Sequence, residues 1–396
     1  MGTSLGIVSA STLSGLYEAE EKLVYTDDSM RTSKDVWAPE LHKLDGSWYI
    51  YFSQHEKVWA LKGGEHPMDE YKGKPVQLLD KWGIDGTILQ HGGNNYFVWS
   101  CHSKDYGEKY LDGASSICIA KLTSPTSIDK SRISVISSPT NDWEKVGGSI
   151  NEAPAPLYWE GETYMTFSAS HCVKAAYSLG LLHLRGDDPL DPKAWSKRTE
   201  GPVFSSANSE YGPGHNALFL SPDGKELWNV YHAVTTSEGS CGMDRQTFAT
   251  KVDTSNFSTK GPIFGEPAKQ GSKSQGPSGE MDDVESDKSS STLETKTNSP
   301  SESATDTQTD KETKTSGDGK PSPTKTDGSI TTAGHSLPSS FGQGTDANNG
   351  GKHTVTNDVN AVTGTSTTSQ NQPTVSGGGL TCKVKRAKLA GNAFVQ

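Results

Sequence analysis

Four segments of the chain are written on one template: DGSWYIYFS (Asp45 to Ser53), HGGNNYFVWS (His91 to Ser100), WEGETYMTFSAS (Trp159 to Ser170) and PDGKELWNVYHA (Pro222 to Ala233). Each opens on a glycine turn and continues as alternating aromatic and β-branched residues, the signature of the second strand of a hairpin. Each follows a short apolar strand: APELHKL, GTILQ, APAPLYW and NALFLS. The turn glycines, Gly46, Gly93, Gly161 and Gly224, are 47, 68 and 63 residues apart. Strands such as SSICIAKL (Ser115 to Leu122) and SLGLLHL (Ser178 to Leu184) fill the gaps, and no segment sustains a 3.6-residue period. Four-stranded units repeated at this spacing predict a β-propeller, in which each sheet hides its apolar faces against its neighbours.

The length of 396 residues would by itself suggest two or three domains. The aromatic residues argue otherwise. All nine Trp and all thirteen Tyr lie at or before Tyr231, and after Phe264 only Phe341 and Phe394 remain. The later stretch has too little apolar surface to offset the entropy of ordering its backbone. The division predicted is a propeller over 1–267 and a disordered, Ser/Thr-rich tail over 268–396. The tail suits an O-glycosylated stalk or a plain solvated linker equally well, and its basic cluster at Lys383, Lys385, Arg386 and Lys388 reads as a chance charge run.

Residues 1–265 carry a net charge of -9 and the rest -2, with no basic stripe. That balance argues against nucleic acid and anionic membrane surfaces as partners and favours a neutral small molecule or polymer. No apolar run approaches the roughly 20 residues of a membrane helix. The N-terminal MGTSLGIVSASTLSGLYEAEE has neither a basic flank nor an unbroken apolar core and does not read as a secretory signal. Cys101, Cys118, Cys172, Cys241 and Cys382 show no CxxC spacing, so no zinc site is expected; Cys101 and Cys118 fall in neighbouring strands and could pair. Asn256-Phe257-Ser258 is a glycosylation sequon of low specificity.

Ahead of the four hairpins stand Glu40, Asp85, Glu152 and His215. Singly, each reads as a turn residue or a solvated strand start. If they hold equivalent places in the innermost strands, three carboxylates and an imidazole converge on one mouth of the channel. Paired carboxylates in a cleft are the equipment for glycosidic bond hydrolysis, one protonating the leaving oxygen while the other activates water or attacks the sugar.

In this order, DVWAPEL (Asp35 to Leu41), IDGTIL (Ile84 to Leu89), NEAP (Asn151 to Pro154), SLGLL (Ser178 to Leu182) and YGPGHN (Tyr211 to Asn216) resemble the five-bladed β-propellers of glycoside hydrolase family 43. The resemblance runs from about Leu5 to Pro267. It implies an all-β fold, a five-bladed propeller whose first blade is incomplete here, followed by the disordered tail. It implies a secreted, monomeric hydrolase of arabinan, arabinoxylan or derived oligosaccharides, an α-L-arabinofuranosidase in the first place. It also implies that Glu152 is the general acid and that Asp85 orients it and keeps it protonated. His215 is implied as the channel histidine, Arg245 as a sugar-contacting arginine and Trp37 as a sugar platform, with packing between blades an equal alternative for Trp37. No cofactor is implied for the reaction, although a structural ion near His215 is compatible with the family.

The departure from the family is at the front. Members carry an Asp-Pro in the first blade whose aspartate is the general base, and no Asp-Pro precedes DVWAPE. Asp27 and Asp28 follow the first strand in what reads as a loop. The expectation is an N-terminally truncated chain whose hydrolysis by an inverting mechanism is impaired. A non-catalytic carbohydrate-binding propeller is the alternative, and a protein-interaction propeller a weaker one.

Overall fold

The computed structural model describes residues 2–33, 35–107, 113–257, 261–269, 271–272 and 275–280, and the backbone of two strands at 381–386 and 392–393. One compact unit takes in 1–287 and 375–396; the second, 288–374, lies outside the described residues, as does most of the segment expected to be disordered.

The strands run in chain order as β1 (Leu5–Ala10), β2 (Lys22–Tyr25), β3 (Trp37–Leu44), β4 (Ser47–Gln54), β5 (Lys57–Lys62) and β6 (Val76–Gln77). They continue as β7 (Gly83–His91), β8 (Asn94–His102), β9 (Ser115–Ser124), β10 (Ser127–Ser137), β11 (Asn151–Trp159), β12 (Glu162–Ala169), β13 (Ser178–Leu184) and β14 (Trp195–Lys197). The last are β15 (Tyr211–Leu220), β16 (Leu227–Val234), β17 (Gln246–Val252), β18 (Thr381–Arg386) and β19 (Asn392–Ala393). Four propeller blades follow, with strand orders β3-β4-β5-β6, β7-β8-β9-β10, β11-β12-β13-β14 and β15-β16-β17. A further sheet has the order β19-β18-β1-β2, in which β18 pairs antiparallel with β1 and β19 antiparallel with β18.

The glycine turns predicted from the repeat sit between the first two strands of each blade. Gly46, Gly93, Gly161 and Gly224 have φ of 71° to 82°, and a Cβ at any of them would meet open space, so backbone conformation is what selects glycine there.

The apolar alternation of the second strands is spent between sheets. Tyr49 and Tyr51 meet Phe97 and Trp99 between the first two blades. Val98 and Ile119 meet Met165 and Phe167 between the second and third, and Leu179 and Leu181 meet Leu218 and Tyr231 between the third and fourth. A fourth cluster joins Leu5 and Ile7 of β1 to Leu41, Ile50 and Phe52 of the first blade. Burying such side chains contributes about 1.5–3 kcal/mol each. At the remaining seam, between the fourth blade and the segment after β1, lies a cavity of about 500 Å³ lined by Leu13, Tyr17, Val230 and Phe248 among others.

Cys101 and Cys118 form the disulfide their strands suggested, and Cys172 pairs with Cys241. Past Pro267 the chain stays on the propeller for some residues: Ala268 N–H donates to Tyr231 Oη, and Ser278 N–H to Glu226.

Candidate active site

All four blades begin with the same irregularity. The pairing of first and second strands slips after Trp37, Ile84, Glu152 and Gly214, which face Ser53, Ser100, Ser168 and His232 respectively. The next residue in each blade, Ala38, Asp85, Ala153 and His215, has a left-handed φ of 44° to 55°. A bulge of this kind re-aims side chains and ends pairing at a rim. Non-glycine residues held there cost on the order of 1–3 kcal/mol each, and such strain clusters at functional sites.

The previous blade anchors three of these turns. Ser53 Oγ accepts from Asp85 N–H at 3.0 Å, Ser100 Oγ from Ala153 N–H at 3.0 Å, and Ser168 Oγ from His215 N–H at 2.8 Å. The serines close the aromatic-Ser pairs Phe52-Ser53, Trp99-Ser100 and Phe167-Ser168, so the signal for them was present in the repeat template. In the fourth blade His232 takes the serine's place.

This frame corrects one expectation. Asp85 and His215 are equivalent, Glu152 comes one position earlier in its blade, and Glu40 comes two positions beyond the turn. Glu40 pairs with Tyr51 past the bulge, and its carboxylate bonds His42 Nε2 at 2.9 Å. The residue of the first blade equivalent to Asp85 is Ala38, so the channel mouth gathers two carboxylates rather than three.

Asp85 and Glu152 are brought together by the chain next to each. Asp85 Oδ2 accepts from Ser100 Oγ at 3.1 Å and from Ala153 N–H at 3.2 Å. Asp85 thereby grips the peptide that follows Glu152. On the other side, Asn151 is wholly buried and bonded to Glu144, Ser137 and Lys197. The NEAP segment is thus fixed at both neighbours of its glutamate.

Burial pushes the Glu152 carboxyl up from 4.5 to about 8, and the Asp85 charge pushes the same way, against a hydrogen bond from Tyr177 and the charge of Arg245. A carboxyl protonated at neutral pH is what a general acid requires. Tyr177, which sequence reasoning passed over, donates its phenol to Glu152 Oε1 at 2.7 Å.

Arg245 lies beside the pair, its Nη1 3.2 Å from His232 Nε2. His232 is held well below the usual imidazole range by burial and by the charges of Arg245 and His215, so it is the neutral acceptor of that contact. Trp37, half-buried, occupies the place in the strand register of the first blade that Glu152 occupies in the third. The described residues hold no group of three or more His, Cys, Asp or Glu side chains able to bind a metal ion.

Residues 2–256 match the family model for Glycosyl hydrolases family 43. The chain belongs to that family. Over 238 residues it is 34% identical to an extracellular exo-α-(1→5)-L-arabinofuranosidase of Streptomyces avermitilis, a match covering 56% of this chain and 48% of the relative. It is 32% identical to a protein of the same description from Streptomyces chartreusis, over 56% of this chain and 70% of that protein. Among solved structures, the α-L-arabinofuranosidase from Lactobacillus brevis superposes with a TM-score of 0.60 at 28% identity, covering 69% of this chain and 90% of the other. The chain spans about half the length of the curated relatives from Streptomyces avermitilis and Pyricularia oryzae. Every family 43 motif quoted from the sequence lies inside the matched residues, and four of the five, DVWAPEL, IDGTIL, NEAP and YGPGHN, contain the bulge.

Proposed function

We propose that the chain is an α-L-arabinofuranoside hydrolase in which Glu152 protonates the leaving glycosidic oxygen. The observation that carries the reading is the Glu152 carboxyl, pushed up by burial, beside a second carboxylate, Asp85, that accepts from the peptide N–H directly after it. As the bond from the anomeric carbon to the leaving oxygen breaks, the electron pair goes to that oxygen and the Glu152 proton with it. Water adds at the opposite face of the sugar, which inverts the anomeric centre. Asp85 serves as the orienting carboxylate, Arg245 and His215 as sugar contacts, and Trp37 as a platform for the apolar face of the ring.

The relatives named arabinofuranosidases direct the substrate class to arabinan, arabinoxylan and their oligosaccharides. Two disulfides suit an oxidising compartment, in keeping with the extracellular relatives.

Asp27 accepts from Met30 N–H and Ser29 Oγ at the start of a short helix, α1 (Asp28–Ser33), and Asp35 accepts from His55 N–H. Neither is placed by a bulge of the ring. Without a water-activating carboxylate, hydrolysis is expected about 100- to 10,000-fold below that of a ring that has one. The same observation favours a second reading, a sugar-binding propeller without turnover.

Assay of the full chain on nitrophenyl α-L-arabinofuranoside, with calorimetry against arabino-oligosaccharides, separates the two. Weak turnover abolished by Glu152→Gln supports the hydrolase. Binding heat with no turnover supports the binding module, and neither signal removes both.

A further inference from the structure

We propose that Tyr177 is the positioning residue of Glu152, its phenol occupying Oε1 so that the transferable proton is reserved for Oε2. This deepens the hydrolase reading and rests on it for its catalytic consequence, although the hydrogen bond itself can be tested without turnover.

The phenol is placed by three separate devices. The loop from His171 to Tyr177 is stapled to the loop before Arg245 by the Cys172–Cys241 disulfide and by Ala175 N–H donating to Glu238 O at 2.9 Å. The ring of Tyr177, 1% exposed, stacks parallel to His232 at a centroid distance of 5.8 Å. It also lies against Gly214, where an added Cβ would come within 2.2 Å of the ring. Gly214 is the position equivalent to Glu152 in the fourth blade, so the missing side chain there is the space through which the tyrosine reaches the acid.

The phenol stays a donor. Burial and the Glu152 charge hold its own proton well above the ordinary phenol range, while the Ser168 hydroxyl beside it acts the other way. Ser168 Oγ also accepts from His215 N–H. Ser168 thus stands beside both the fourth blade's turn and the phenol that meets Glu152. The titratable groups facing the acid are Tyr177, Asp85 and Arg245, with His232 and His215 behind them.

In the reaction, the proton leaves Oε2 for the glycosidic oxygen, the pair of the broken C–O bond stays on that oxygen, and the attacking water gives its proton to solvent. The new carboxylate is met at Oε1 by a donor already in place. A bond that strengthens as charge develops favours the transition state over the ground state.

The test is an isotope-edited infrared titration of the full chain with labelled glutamate, the Glu152 band being the one lost in Glu152→Gln. Tyr177→Phe is expected to keep Glu152 protonated to a pH about one unit higher, because a donor to the charged form has gone. Uniform 3-fluorotyrosine, a more acidic phenol that leaves the packing in place, is expected to move the band the opposite way. In kinetics, Tyr177→Phe is expected to lower kcat about tenfold on arabino-oligosaccharides, whose leaving group needs the proton, and far less on a dinitrophenyl arabinoside, with KM unchanged. A Glu152 titration that neither substitution moves overturns the proposal. A wild-type chain without turnover overturns the hydrolase reading and leaves the titration to decide the role of Tyr177.

Discussion

The Asp85 carboxylate accepts the peptide N–H of Ala153, the residue directly after Glu152, across the boundary between two blades. Charge and position are thus delivered by one side chain, and the two can be separated. Asp85→Asn keeps an acceptor for Ala153 but removes the charge that helps hold Glu152 protonated, so the alkaline limb of the kcat/KM profile is expected to move to lower pH. Asp85→Ala also leaves Ala153 N–H with Ser100 alone, and is expected to cost a further 1–3 kcal/mol or so in urea melts.

Glu152 also writes a pH dependence into stability. In the unfolded chain it ionises near its ordinary value of 4.5, and in the folded chain near 8. Between those values the folded state binds more protons, so stability is full below about 4.5 and is lost as pH rises through about 8. Glu152→Gln removes this term. The variant is expected to match the wild type in thermal melts at pH 4 and to exceed it at pH 9, by up to about 5 kcal/mol.

The serines at the ends of β4 and β12 have a stability role that the site alone would not suggest. Ser53→Ala strands the buried N–H of Asp85, and Ser168→Ala that of His215. Each is expected to lower stability by about 1–2 kcal/mol in chemical denaturation. Ser168→Ala should in addition shift the Glu152 titration through Tyr177, whereas Thr in either place should restore most of the stability.

Gly214 tests the packing of the tyrosine independently of its hydroxyl. A methyl group there must displace the Tyr177 ring or the strand. Gly214→Ala is expected to cost about 1–3 kcal/mol as overpacking, measured by thermal melts, and to separate Tyr177 from Glu152 with the same upward shift of the Glu152 titration that removing the phenol produces.

How far the molecule could be read from its letters depended on periodicity. The hairpins were legible because glycine turns and alternating aromatics repeat, and the second strands from DGSWYIYFS to PDGKELWNVYHA form where the template places them. Asp85 and Glu152 were legible through motifs as well as spacing. Glu40 misled because it stands six residues before its turn glycine Gly46, whereas the left-handed position stands eight or nine before the turn glycine in every blade, at Ala38 in this one. Tyr177 was hidden for a different reason: it sits outside the repeated hairpin, on the loop between the second and third strands of the third blade, and meets Glu152 only once the first three strands of that blade lie side by side. The pairing of Cys172 with Cys241, 69 residues apart, joins the corresponding loops of two neighbouring blades, between β12 and β13 and between β16 and β17, and so appears only when those blades stand side by side.

The left-handed turn at Ala38, Asp85, Ala153 and His215 amounts to a socket cut once per blade. Two sockets hold ionisable side chains, Asp85 and His215, and two are capped with a methyl group. Chemistry can therefore be exchanged at this ring without redesigning backbone, since the scaffold has already accepted the unfavourable torsion whichever residue stands there. Ala38 is the natural place to graft a water-activating carboxylate: Ala38→Asp would seat it in the frame that already holds Asp85, one blade away.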